Sequence, residues 1–162
     1  EFFRMRLVQT DPNFGNYLFD PATGRIALID FGATEPVTPE RVEQLRALGR
    51  AMRADDMAGL EHASDTAGFT DLADPPAQRQ GVIALMRLAG EPLRQAGAYD
   101  FGASTLVARS VDQGRDQFFG AGYARTPPPD LLFLQRKFAG TFLLCTRLRA
   151  RVDLAAVFGD EL

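Results

Sequence analysis

Short apolar runs separated by turn-forming residues make up the first part of the chain. Residues 17–19 and 25–29 are rich in aromatic, β-branched and aliphatic side chains, which favour strands. Residues 20–24 (Asp-Pro-Ala-Thr-Gly) have the composition of a turn, with Pro setting φ and Gly closing the turn. We therefore predict a β-hairpin whose mouth carries Asn16 on one side and Asp30 on the other.

After Pro36 the pattern of apolar residues becomes helical and is predicted to stay helical to the end of the chain. Thr38-Pro39-Glu40 has the residues of a helix start: an N-cap, a first-turn proline and an acid that the helix dipole favours. Further helix starts are indicated at Asp55-Asp56, Pro75-Pro76 and Ser104, and the longest helix is predicted over residues 131–152, after a rigid triple proline at 127–129. The expected fold is α+β but mainly α, one small hairpin followed by about five helices.

Composition narrows the function classes. The 162 residues are 46% hydrophobic, enough for one sizeable core, and a single cysteine excludes a disulfide scaffold. A net charge of -3 without a basic cluster argues against nucleic acid as a partner. No apolar run is long enough to predict a membrane span. Because the chain opens directly on Glu1-Phe2-Phe3, we expect it to be the C-terminal piece of a longer protein.

Three polar residues of the hairpin region suggest chemistry. Asp11 precedes Asn16 by five positions, and after the hairpin comes Asp30-Phe31-Gly32, which is the layout of phosphoryl-transfer sites in protein kinases. The Asn16 amide oxygen and the Asp30 carboxylate are hard donors that suit Mg²⁺, and Asp11 could orient a hydroxyl or a water and accept its proton. Each residue taken singly is also an ordinary turn residue, but the combined spacing favours the functional interpretation.

The motifs resemble those of the AarF/UbiB atypical kinase family. Residues 8–16 (VQTDPNFGN) and 26–34 (IALIDFGAT) carry the resemblance, and Gln-Thr-Asp-Pro-Asn is similar to the subgroup of mitochondrial coenzyme Q biosynthesis kinases. Many other members have His where Asn13 stands here. Weaker similarity continues through the triple proline, Arg136-Lys137 and residues 142–145 (FLLC). The resemblance thus covers nearly the whole chain, with specific motifs only in residues 8–34.

The resemblance implies a protein-kinase-like fold that binds ATP and Mg²⁺. Residues 1–162 would form its C-terminal (large) lobe, with catalytic and metal-binding loops in 1–36 and a helical subdomain in 37–162. Asn16 and Asp30 would hold the metal and the nucleotide, and Asp11 would occupy the catalytic-base position. Family members support ubiquinone biosynthesis as ATPases or as unorthodox small-molecule or lipid kinases.

Other parts of such a site are not found in this sequence. A kinase also needs a loop over the phosphates, a strand lysine and a helix glutamate that pairs with it, and this family adds a lysine-glycine-glutamine motif. Of the 18 basic residues only Lys137 is lysine, and it lies far downstream. The segment 120–122 (Gly-Ala-Gly) is predicted to be a loop between helices. We therefore expect the N-terminal lobe to lie outside this chain, which alone should bind ATP poorly and turn it over negligibly.

The family also suggests partners and location. A lipid or quinone-precursor ligand, ubiquinone-biosynthesis proteins and peripheral membrane contact through Arg147, Arg149 and Arg151 are compatible with it, although cations at a helix C-terminus also have a purely structural role. The location would be cytoplasmic or membrane-peripheral in a bacterium, or the matrix side of the mitochondrial inner membrane in a eukaryote.

Two other functions remain open from the sequence. A small-molecule phosphotransferase of the aminoglycoside or choline kinase type shares the Asp-Asn-Asp arrangement, but usually has His two residues before the first Asp, where this chain has Gln9. The third candidate is a non-catalytic module that keeps the fold and serves as a lipid-binding scaffold in a biosynthetic complex.

Overall fold

The computed structural model describes residues 1–115 and 128–162. In these ranges the helices are α1 (Phe2–Met5), α2 (Pro39–Ala54), α3 (Met57–Ala67), α4 (Pro76–Ala89), α5 (Glu91–Arg94), α6 (Leu106–Arg115), α7 (Pro129–Arg147) and α8 (Leu154–Phe158). The strands are β1 (Leu7–Gln9), β2 (Tyr17–Asp20), β3 (Arg25–Leu28), β4 (Thr34–Pro36), β5 (Ala98–Asp100) and β6 (Arg151–Asp153). Short 3₁₀ turns cover Phe14–Asn16 and Gly159–Glu161.

The predicted hairpin is confirmed as the antiparallel pair β2–β3, in register from Tyr17 opposite Leu28 to Asp20 opposite Arg25. The Asp20 carboxylate closes the turn by accepting hydrogen bonds from the Ala22 amide at 2.9 Å and the Thr23 hydroxyl at 2.6 Å. Local turn chemistry therefore closes this hairpin.

A second antiparallel pair, β1–β4, joins the two chain segments that flank the hairpin, with Leu7 opposite Pro36 and Gln9 opposite Thr34. Neither strand is predictable from the sequence, because three residues are too few to show an alternating pattern. The pairing places the loop before the hairpin beside the segment after it.

The main core is formed by helices α2, α3, α4 and α7 together with strand β1. Helix α2 begins where predicted, since the Thr38 hydroxyl accepts a hydrogen bond from the Arg41 amide at 3.1 Å. Its apolar face packs on α3, and Val8 of β1 joins the same cluster. Eleven buried residues make up this core: Val8, Leu45, Leu48, Ala51, Leu60, Ala63, Ala67, Phe69, Ile83, Leu131 and Leu134.

The last part of the chain corrects two predictions. Helix α7 ends at Arg147 and does not reach Val152, because Arg149 adopts a left-handed φ of 50° and the chain enters strand β6. That strand pairs with β5, so the chain is not helical to its end. Asp100, the last residue of β5, begins an Asp-Phe-Gly segment that leads towards α6, and its Phe101 is buried in a second, smaller core.

The described residues form a mainly helical fold with small sheets, consistent with a kinase-like lobe. Five of the described helices that follow the hairpin have ten or more residues, in agreement with the prediction. The predicted loop at 120–122 and the first proline of the triple lie outside the described residues. None of the described helices combines the length and apolarity needed to cross a membrane.

Candidate functional site

The loop between β1 and β2 brings Asp11 and Asn16 into contact. Asn16 is buried, and its Nδ2 donates to the Asp11 backbone carbonyl at 3.1 Å and to Asp11 Oδ2 at 3.0 Å. The loop turns back on itself because the Asn13 side chain accepts from the Gly15 amide at 3.0 Å while its carbonyl accepts from the Asn16 amide at 3.0 Å. Local hydrogen bonds within this turn thus bring two residues that are five positions apart into contact.

Asp30 follows β3 at the mouth of the hairpin. The Ile29 amide donates to the Asn16 carbonyl at 2.9 Å. Because Asp30 is the next residue after Ile29, the backbones of Asn16 and Asp30 lie close together at the mouth. The exposed Asp30 side chain uses Oδ1 to accept a hydrogen bond from the Gly32 amide at 2.8 Å. The expected approach of Asn16 and Asp30 is therefore seen at the level of the backbone.

The segment after Asp30 is tied to the Asp11 loop. The Thr10 amide and hydroxyl both donate to the Ala33 carbonyl, at 2.8 Å and 2.9 Å. Gln9, which is 1% exposed, accepts a hydrogen bond from the Asp11 amide at 3.1 Å through Oε1. Because the two Thr10 contacts cross from one side of the hairpin to the other, the segments that carry Asp11 and Asp30 are held on one scaffold.

Helix α7 places two basic residues against the site that could not be assigned to it from their positions in the sequence. Arg136 Nη2 lies 3.1 Å from Asp11 Oδ1, and Lys137 Nζ lies 3.4 Å from the Tyr17 hydroxyl. The single lysine is thus far from the loop in sequence but adjacent to it in space. Only the weak family similarity at Arg136-Lys137 pointed to this helix, since charge spacing cannot reveal a contact between distant segments.

The donor chemistry of the loop suits a hard divalent cation. Asn16 Nδ2 donates to Asp11, so the side-chain oxygen Oδ1 of Asn16 is the atom that could contact a metal. Asp30 offers a carboxylate. Mg²⁺ is commonly held by one or two carboxylates together with substrate phosphates. Among residues 1–115 and 128–162, no three His, Cys, Asp or Glu side chains are grouped so that they could hold a metal ion by themselves. One amide oxygen and one carboxylate, completed by substrate phosphates, fit the donor set of magnesium.

A separate open cleft of about 370 Å³ lies between β5 and the start of α6. Glu91 accepts hydrogen bonds from the Tyr99 hydroxyl at 2.7 Å and from Arg109 Nη2 at 2.6 Å, and Ser104 also contacts the Tyr99 hydroxyl. Burial opposes ionisation of Glu91, but these hydrogen bonds outweigh burial and lower the pKa of Glu91. The pKa of Tyr99 is raised, first by burial and second by its hydrogen bond to Glu91. These lining groups satisfy one another, as in a structural polar cluster.

Comparison with known proteins supports the kinase resemblance. Residues 1–64 match the model of the ABC1 atypical kinase-like domain. The chain is 31% identical to the mitochondrial atypical kinase COQ8B of Rattus norvegicus, over 99% of this chain and 30% of that protein. COQ8B of Danio rerio is 32% identical over 99% of the chain and 25% of its own length. The mitochondrial atypical kinase COQ8 of Saccharomyces cerevisiae is 29% identical, over 99% and 32% respectively.

These matches agree with the motifs and with the fold. The chain spans about a third or less of the length of these curated relatives. The matched domain includes Asp11, Asn16 and Asp30, and the alignments extend over the helical region as well. Residues 1–64 thus match the ABC1 atypical kinase-like domain and nearly the whole chain is similar to mitochondrial atypical kinases, in agreement with the AarF/UbiB resemblance of the loop motifs.

Proposed function

We propose that this chain is the catalytic-loop and metal-binding lobe of an ATP-dependent atypical kinase or ATPase that supports ubiquinone (coenzyme Q) biosynthesis. One observation carries the proposal: Asn16 donates to the Asp11 carboxylate at 3.0 Å, and its carbonyl is bound by the Ile29 amide, one residue before Asp30. These contacts join Asn16 to Asp11 and bring the Asn16 backbone close to that of Asp30, which supports a site made of the three residue types that phosphoryl transfer requires.

In this proposal Asn16 Oδ1 and the Asp30 carboxylate hold Mg²⁺ and, with it, the phosphates of ATP. The metal would neutralise phosphate charge during transfer. Asp11 takes the proton of the attacking hydroxyl or water. Its carboxylate is ready for that role because Asn16 and Arg136 each bind one of its oxygens, which fixes its orientation before the acceptor arrives.

The proposed setting follows from the relatives, whose names place them in mitochondria. We propose the matrix side of the inner membrane if the protein is eukaryotic, or a cytoplasmic or membrane-peripheral location if it is bacterial. A lipid or quinone precursor is the proposed ligand, with ubiquinone-biosynthesis proteins as partners. The family match favours this function over a phosphotransferase of the aminoglycoside or choline kinase type.

The test compares two Asp-Phe-Gly aspartates, Asp30→Asn and Asp100→Asn. Asp100 is the matched control, since its Oδ1 also accepts from the amide two residues on, Gly102, at 3.0 Å, but at the end of β5. Thermal unfolding and ATP turnover are measured with and without Mg²⁺ in the longer protein that we expect to contain this chain. Asp30→Asn should abolish magnesium-dependent turnover and protection by ATP, whereas Asp100→Asn should retain both.

Two outcomes contradict the proposal. Turnover that survives Asp30→Asn would remove Asp30 from the metal site. A longer protein that shows no magnesium-dependent protection by ATP would favour the non-catalytic scaffold. Measured alone, the 162-residue chain should show negligible turnover, because its only lysine, Lys137, is engaged with Tyr17 and Glu1 and is not positioned as a strand lysine. ATPase activity of the isolated chain that Asp30→Asn abolishes would show that this lobe suffices.

A further inference from the structure

We infer that Arg136 of helix α7 is a positioning residue for Asp11, an inference that rests on the proposed function. Arg136 Nη2 contacts Asp11 Oδ1 at 3.1 Å, and Asn16 Nδ2 contacts Asp11 Oδ2 at 3.0 Å. The two oxygens of one carboxylate are thus bound by donors from separate segments of the chain. Such a pair of contacts sets the plane of the carboxylate, which neither donor would fix alone.

Helix α7 is held against the loop at further points along the same face. Gly140 follows Arg136 by four residues and therefore lies on its face of the helix. A Cβ built on Gly140 would lie 2.0 Å from Pro12 Cγ, so the backbone of α7 approaches the loop more closely than any other residue type would allow. About two helical turns further along α7, the Arg147 guanidinium lies 5.2 Å from the centre of the Phe14 ring.

These contacts align the loop with a rigid element. Arg136, Gly140 and Arg147 meet the loop at three successive places, Asp11, Pro12 and Phe14. A helix of 19 residues is stiffer than the loop it contacts, so the position of Arg136 is determined by α7 and not by the loop. Asp11 is therefore oriented from outside its own segment.

The exposure of the pair separates a catalytic effect from a structural one. The Arg136 side chain is 61% exposed and that of Asp11 33% exposed. An ion pair in such surroundings contributes little to global stability because water screens it. Removal of the guanidinium should therefore leave the fold intact while it frees the Asp11 carboxylate to rotate.

The first test measures steady-state kinetics of Arg136→Gln and Arg136→Lys in the longer protein, with Arg50→Gln as the control. Arg50 is an exposed arginine of α2. Arg136→Gln should lower kcat by about 10- to 100-fold with KM for Mg-ATP unchanged, as expected when an orienting residue is lost. Arg136→Lys should recover part of the rate, since it restores the charge without the planar fork. Arg50→Gln should match the wild type.

A second test does not depend on activity. Hydrogen exchange of the Asp11 and Asn16 amides is followed in the 162-residue chain, where both amides are hydrogen-bonded within the loop. Arg136→Gln should speed their exchange by up to about fivefold while the β2–β3 amides keep their rates, because only the loop loses a contact.

Each outcome has a distinct meaning. A wild-type kcat in Arg136→Gln, a raised KM with unchanged kcat, or unaltered loop exchange overturns the positioning role. If the wild-type longer protein shows no ATP turnover but the loop amides of Arg136→Gln exchange faster, the proposed function fails while the structural part of the inference stands. A large fall in thermal stability in Arg136→Gln but not in Arg50→Gln would show that the pair is structural and would also overturn the inference.

Discussion

Replacement of Gly140 by Ala sets a known gain in helix stability against a steric clash. Ala is favoured over Gly inside a helix by about 1 kcal/mol. The new Cβ would lie 2.0 Å from Pro12 Cγ and 2.7 Å from Pro12 Cβ. Carbon atoms pack best at about 3.5–4.0 Å, so the helix and the loop must separate by roughly 1.5 Å. The pyrrolidine ring cannot rotate aside, because it is closed on its own backbone.

The expected result is a net loss of stability. Overpacking of this kind costs about 1–3 kcal/mol, which equals or exceeds the gain in propensity. Gly114→Ala is the matched control: it lies in α6, and among the described residues no atom lies within 4 Å of its built Cβ. Gly114→Ala should therefore gain about 0.5–1 kcal/mol. The free energies of unfolding of the two variants should differ by about 1–3 kcal/mol.

Chemical denaturation and thermal unfolding of the 162-residue chain measure this difference directly. For a chain of this size 1 kcal/mol moves Tm by about 2–4 °C, so Gly140→Ala should melt about 2–12 °C below Gly114→Ala. If Gly140→Ala is as stable as Gly114→Ala, α7 does not lie against Pro12, and the contact of Arg136 with Asp11 loses its structural basis.

Three further results are expected. Leu60→Ala, which empties a site only 1% exposed in the main core, should cost about 2–5 kcal/mol in a denaturant titration. The Arg79 guanidinium holds the pKa of Asp65 below its ordinary value of 3.8, so this pair should stabilise the fold above that pH, and the contribution should disappear as pH falls through the lower folded pKa. Asp65→Asn should therefore lose stability at pH 7 and approach the wild type in acid. Burial raises the pKa of the Cys145 thiol, so its alkylation at neutral pH should be slower than that of a small free thiol.

The hairpin and the start of α2 could be predicted from sequence because each is local, and the Asp11–Asn16 contact, of which the sequence showed only the spacing, is local as well. Asp20 bonds within its own turn, Thr38 caps the helix that follows it, and Asn16 reaches Asp11 five positions earlier. Short loops close with little loss of conformational entropy, so side chains at such spacings can form hydrogen bonds with little help from the rest of the chain. The candidate site was therefore visible in a stretch of about twenty residues.

The contacts that surround this site depend on the tertiary structure. Strand β1 pairs with β4 across the hairpin, and β5 pairs with β6 across more than fifty residues. Strands this short show no alternating pattern that would identify them in the sequence. Arg136 meets Asp11 although the two are 125 positions apart. That contact exists because the packing of α7 brings Gly140 onto Pro12, and packing between distant segments is set by the shapes of their surfaces, which neither segment encodes alone. The sequence by itself identified the residues that we propose carry the chemistry, and the tertiary structure decided what holds them in place.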